Sequence, residues 1–203
     1  MKSVLFNCFL LVLFNQVGFS QNILPKNSIY VVCRGTTLKR SLIGDGFNIS
    51  NKNITHIGIG YVENDSLKIY NVSNTQKQNN SSLIVEKWSE FTESPEIFYL
   101  GIWELESSEG EIKKIKLLLQ KYLNNKIEFD HQFRLDNENL YCSEFVAKIL
   151  NESEFCKFRP TKKKLNSTLR SLTNTKKFIY YPADFFLQNT KFKQIYLKTI
   201  TIK

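Results

Sequence analysis

The sequence predicts an α+β fold: a strongly curved antiparallel sheet packed against a helix that opens on a cysteine. Two stretches and one periodicity carry that expectation. Leu140 to Leu150 (LYCSEFVAKIL) places Cys142, Phe145, Val146, Ile149 and Leu150 on one helical face. Ile54 to Val62 (ITHIGIGYV) alternates as a strand and is followed by a turn and a second strand. Glu109 to Leu123 carries Ile112, Ile115, Leu118, Leu119 and Tyr122 along one stripe, a second helix.

The chain opens with Met1-Lys2-Ser3, an apolar run from Val4 to Phe14, and small residues at Gly18 and Ser20. This pattern reads as a signal peptide over residues 1–20, with cleavage before Gln21 and a periplasmic or secreted mature protein. The apolar run is short for a transmembrane span. Residues 21–203 then form a single domain of about 183 residues, enough for a real core. The net charge of +9 is concentrated between Lys157 and Lys177, so an anionic envelope surface is a candidate partner and a solvated basic face the plainer alternative. No nucleic-acid motif is present, and nothing in the pattern sets an oligomeric state.

Ser28 to Arg34 is β-branched and aromatic and reads as the first strand. Gly35 to Asn53 is polar and reads as a long loop with one short helix near Leu38 to Ile43, a candidate cleft wall. In the next strand His56, Gly58 and Gly60 share one face, and the glycines let another element approach closely there. Glu63 to Ser66 is a turn, and Leu67 to Ser73 returns. A symmetric hairpin pairs Val62 with Leu67, Gly60 with Ile69 and Gly58 with Asn71, which sets Asn71 diagonally from His56 on the same face. A slip of one residue would send Asn71 to the other side.

Leu83 to Val85 reads as a short strand, Glu86 to Phe91 as a short helix and Ile97 to Leu105 as a strand, with Ser107 or Ser108 capping the helix from Glu109. Asn124 to Asn139 is a connector. After the Cys142 helix, a basic Ser/Thr-rich region runs to Lys177, a short helical segment falls near Asp184, and Phe192 to Ile200 is the last strand.

A thiol in the first turn of a helix meets the positive end of the helix dipole, which lowers its pKa and favours thiolate. Free backbone N–H groups at the same place can bind an oxyanion. Cys142 is therefore a candidate nucleophile; its plain alternative is a small buried apolar residue. His56 is the candidate base, with His131 its only rival, and Glu144 pairs with Lys148 at i,i+4 on the helix surface. Three cysteines remain in the mature chain, so Cys33 and Cys156 either form a disulfide or stay free. With two histidines and no CxxC, a Cys/His metal site is not expected, and no cofactor is called for.

THIGIGYV followed by FDHQFRLDNENLYCSEFVAKIL resembles the permuted papain-like amidases of the YaeF/YiiX group, related to NlpC-type peptidases and lecithin retinol acyltransferase. Asp130 with Phe133, and Tyr181-Pro182-Ala183-Asp184-Phe185, are similar to two further elements of that group. The resemblance implies a circularly permuted papain-like fold with Cys142 as nucleophile, His56 as base and Asn71 as orienting residue. It implies a cysteine-dependent amidase or peptidase acting on an acyl-amide or envelope peptide. Lipid acyl transfer or thioester hydrolysis through the same pair, or a non-catalytic envelope-binding module, are the alternatives. The group usually has glutamate where this chain has Asn71, which removes a charge that would stabilise an imidazolium.

Overall fold

The computed structural model describes residues 24–74, 78–164 and 177–200. The leader expected at 1–20 and residues 165–176 of the basic Ser/Thr-rich region lie outside them. Six strands build the main sheet: β1 (Ile29–Thr36), β2 (His56–Glu63), β3 (Ser66–Val72), β4 (Leu83–Lys87), β5 (Ile97–Leu105) and β8 (Phe192–Thr199). The sheet is antiparallel, in the order β4-β3-β2-β1-β5-β8.

Strand alternation divides the core in two. Ile29, Val31 and Cys33 of β1 and Ile57, Ile59 and Tyr61 of β2 face helices α4 (Glu109–Leu123) and α5 (Cys142–Glu152). They pack on Ile112, Ile115 and Leu119 of α4 and on Phe145, Val146 and Ile149 of α5. Tyr30, Val32, Val62, Leu67 and Ile69 face the other way, onto Trp88 and Phe91 of the short helix α3 (Trp88–Phe91). Among the described residues, no helix is long and apolar enough to cross a membrane.

The β2–β3 hairpin has the anticipated register, with Val62 opposite Leu67 and Gly60 opposite Ile69. Its turn is tighter than the four residues expected. Glu63 pairs with Ser66, and Asn64 and Asp65 (φ 49° and 59°) make a two-residue left-handed turn whose twist matches the strands. Helix α4 starts at the capping box that Ser108 makes with Glu111: the Ser108 hydroxyl accepts from the Glu111 N–H, and the carboxylate accepts from the Ser108 N–H.

Three segments differ from expectation. The stretch after β1 is helical through Phe47, as α1 (Thr37–Lys39), a π-helical turn Arg40–Gly44 and α2 (Asp45–Phe47). The loop beyond Phe47 is pinned from a distance. The backbone N–H groups of Ile49, Ser50 and Asn51 donate to the buried Asp184 carboxylate at 3.0, 2.6 and 2.8 Å. Strand β4 runs on to Lys87 instead of ending at Val85, because β3 continues to pair with it through Lys68 opposite Lys87. The basic region contributes a two-stranded ribbon, β6 (Thr161–Lys164) with β7 (Lys177–Tyr180), and the rings of Phe178 and Tyr180 pack on Phe47 at 5.7 and 5.3 Å. Aromatic packing from elsewhere in the chain overrides the polar local sequence there. Cys33, Cys142 and Cys156 are all free thiols, so Cys33 and Cys156 form no disulfide.

Candidate functional site

Helix α5 begins where the extended Tyr141 (φ −111°, ψ 167°) turns into Cys142, with no side chain capping it. The C-terminal element holds that turn. The Tyr141 hydroxyl accepts from the Tyr181 N–H at 2.8 Å, and the Ser143 hydroxyl donates to the Tyr181 carbonyl at 2.7 Å. Asp130, also buried, accepts the N–H groups of Gln132 and Arg134 and so shapes the connector just before the helix.

Cys142 is half-buried, and the backbone N–H groups of Ile57 and Ser143 act on its sulfur in the direction that favours thiolate. The helix start thus abuts the beginning of β2, beside His56. The expected depression of the thiol pKa is not what results. Burial pushes the thiol up, and the two N–H groups with the charges of Lys39 and Arg34 offset only part of that.

His56 is 7% exposed and opens β2 opposite Arg34 of β1. Its Nε2 lies 2.9 Å from Asn71 Oδ1, the diagonal contact that the hairpin register implies. Gly58 makes room for it: a Cβ there would lie 3.1 Å from Asn71 Cβ and 2.8 Å from Ile69 Cγ2. The His56 ring packs 5.9 Å from Phe91, and the Arg34 guanidinium stacks on that phenyl ring at 4.6 Å while donating to the Phe91 carbonyl. Burial first, then the charge of Arg34, hold the imidazole pKa well below its ordinary value, against the opposing bond to Asn71. The resting site therefore pairs a neutral imidazole with a protonated thiol. Among the described residues His56 Nδ1 takes no hydrogen bond, and no hydrogen bond joins Cys142 to the ring.

Asn71 is fully buried, and its Nδ2 donates to Glu86 Oε1 at 2.6 Å. Burial raises the Glu86 pKa, and Arg34 and the Asn71 bond oppose the rise. The sequence reading missed Glu86 because it ended β4 too early. Alternation from Ile84, which pairs with Asn71, puts Glu86 on the Asn71 face. Arg34 and Lys39 had no local signal; only the β1–β2 register and the fold of the helical segment bring their charges near Cys142. The rival His131 is exposed and packs edge-on against Phe129 at 5.0 Å.

Glu144 corrects another expectation. It is not on the helix surface but fully buried, with neither carboxylate oxygen hydrogen-bonded and Lys148 Nζ 3.4 Å away. Burial pushes its pKa up to about 7 from an ordinary 4.5, and Lys148 opposes the rise. A carboxyl raised in the fold lends stability that is fully present below pH 4.5 and lost as pH climbs through 7. Wild type is therefore expected to lose roughly 3 kcal/mol between pH 4.5 and 8.5, and Glu144→Gln to flatten that slope, as read by urea denaturation at several pH values.

The fold and site together define an α+β protein in which a helix opening on a cysteine packs against the strand that opens on a buried histidine. No family model matches the chain, and no curated protein matches it. Among solved structures, the chain is similar to the crystal structure of metalloprotein YiiX from Escherichia coli O157:H7, DUF1105. The TM-score is 0.64 at 11% identity, and the match covers 86% of this chain and 98% of that one. At that identity the likeness establishes a shared, YiiX-like fold.

The donor set here does not fit a metal. Among the described residues, no three His, Cys, Asp or Glu side chains gather closely enough to hold an ion. The charged groups acting on Cys142 are the cations Lys39 and Arg34, which would repel one.

Proposed function

We propose that this chain is a cysteine-dependent amide hydrolase that works by acyl transfer through a thioester, on an acyl-amide or a cell-envelope peptide. The observation that carries the reading is the fixed imidazole. Asn71 Oδ1 occupies His56 Nε2 and leaves Nδ1 for a neighbouring group, at the strand end against which the Cys142 thiol lies. The order of histidine before cysteine and the resemblance to permuted papain-like amidases belong with it.

In this mechanism the Cys142 sulfur attacks the acyl carbonyl carbon as its proton passes to His56 Nδ1. The N–H of Cys142, free at the helix start, stabilises the oxyanion. The tetrahedral intermediate expels the amine, which takes the proton back from the imidazolium. Water then attacks the thioester, giving one proton to His56, and collapse releases the carboxylic acid and restores the thiol. Because the resting pair is neutral, proton transfer accompanies attack. Hydrogen bonds of this kind are often long without substrate and close in the Michaelis complex.

A non-catalytic binding module is the second reading, favoured by the upward push on the Cys142 thiol and, among the described residues, by the lack of a hydrogen bond between it and His56. Mature protein offered short peptides, N-acyl amino acids and acyl esters, with products followed by mass spectrometry, separates the two. Turnover of an amide that disappears in Cys142→Ala supports the hydrolase. Turnover confined to lipid esters or thioesters moves the assignment to acyl transfer, and none across the set, with the protein folded, favours the module.

A further inference from the structure

We infer that Glu86 is the positioning residue that fixes His56 in its reactive tautomer, acting through Asn71. The inference rests on the reading of His56 as general base. An asparagine amide is ambiguous on its own, since one end accepts and the other donates. The carboxylate of Glu86 can only accept, and it takes the Nδ2 end of Asn71 at 2.6 Å. The Oδ1 end must then face His56, where it can only accept, so the ring proton sits on Nε2 at 2.9 Å. The Nδ1 lone pair is left exposed to a proton donor. Turn the amide over, and Nε2 must accept while Nδ1 carries the proton, which is useless for a base. The diagonal placement of Glu86 from Asn71, and of Asn71 from His56, makes this chain of contacts a property of the sheet register.

Charge gives Glu86 a second part in the same role. Arg34 sits opposite His56 in the β1–β2 ladder and opposes an imidazolium there. Glu86 is the buried carboxylate on that face, close enough to Arg34 for the two charges to interact, with Glu90 the other acidic neighbour that it feels. The negative charge missing at position 71 is supplied one strand further out and passed through an amide.

The chain has two histidines, so the tautomer can be read directly. Protein labelled with ¹⁵N-histidine, assigned with His131→Asn, is expected to show His56 as a single Nε2–H species. In Glu86→Gln the side chain can donate or accept, so the amide is released. His56 should then show a substantial Nδ1–H fraction, and kcat should fall at least tenfold with KM little changed. The double variant Asn71→Asp with Glu86→Gln puts an acceptor-only group directly against Nε2. It should restore the single Nε2–H species and most of the rate. A Glu86→Gln protein that keeps the wild-type tautomer overturns the inference, whatever its activity. If Glu86→Gln does not fold, the double variant decides alone, and an Nδ1–H ring there overturns the inference. The tautomer is measured without substrate, so failure to find any turnover strikes the hydrolase reading and leaves this result standing.

Discussion

His56→Ala is expected to slow acylation of Cys142 by about 10²–10⁴-fold, the range a positioned base supplies. The size follows from the resting protonation states. Burial holds the Cys142 thiol above its ordinary pKa, so little thiolate exists at neutral pH without a base to take the proton. The same electrostatics set the pH profile. His56 is held well below the usual imidazole range, so it stays a competent base as pH drops through 6.5, and the acid limb of kcat/KM should fall below that value. Iodoacetamide should alkylate Cys142 of the substrate-free protein with a midpoint above the ordinary thiol value. Stopped-flow acylation and alkylation rates across pH check both. An acid limb at or above pH 6.5 would contradict the electrostatics described.

Gly60→Ala is expected to be the more destabilising of the two glycine-to-alanine substitutions in the β2–β3 hairpin, at about 3 kcal/mol or more. A Cβ at Gly60 would lie 2.2 Å from the Lys68 carbonyl oxygen and 3.0 Å from its carbon. Those are backbone atoms of the paired strand, opposite the core position Ile69, and they cannot rotate away. Gly58→Ala meets Ile69 Cγ2 at 2.8 Å, the Tyr70 carbonyl oxygen at 3.0 Å and Asn71 Cβ at 3.1 Å, all farther off than the 2.2 Å backbone clash at Gly60. It should cost less in stability but more in activity, because part of the shift it forces falls on the residue that holds His56. Gly110→Ala is the control. Nothing lies within 4 Å of a Cβ there, and the position is in the first turn of α4, so stability should be unchanged or slightly higher. Urea denaturation of the three variants orders them.

The hairpin was legible because its two strands are adjacent in sequence and a short turn fixes their register. The diagonal meeting of His56 and Asn71 followed from that register alone. Strand β5 and helix α4 were legible from alternation and from the Ser108 cap. What escaped was long-range. Arg34 reaches the site through pairing of β1 with β2 across the helical segment. Asp184 captures three backbone N–H groups more than 130 positions away. The β6–β7 ribbon is held by rings packing on Phe47 against its own lysine-rich composition. Glu144 looked like a surface partner for Lys148 because helical spacing reports which residues are neighbours and not which face is covered. The thiol pKa was misjudged for a related reason: the helix dipole is local, and the burial that outweighs it is not.

The central claim is that Cys142 and His56 form one reacting unit. The most direct measurement offers an activated acyl ester to wild type and to His56→Ala, and maps the acylated cysteine by peptide mass spectrometry over time. The account predicts an acyl-thioester on Cys142, with Cys33 and Cys156 spared by burial, and its formation slowed by at least a hundredfold in the variant. Acylation of Cys142 at the same rate with and without His56, or no preference among the three thiols, would contradict it.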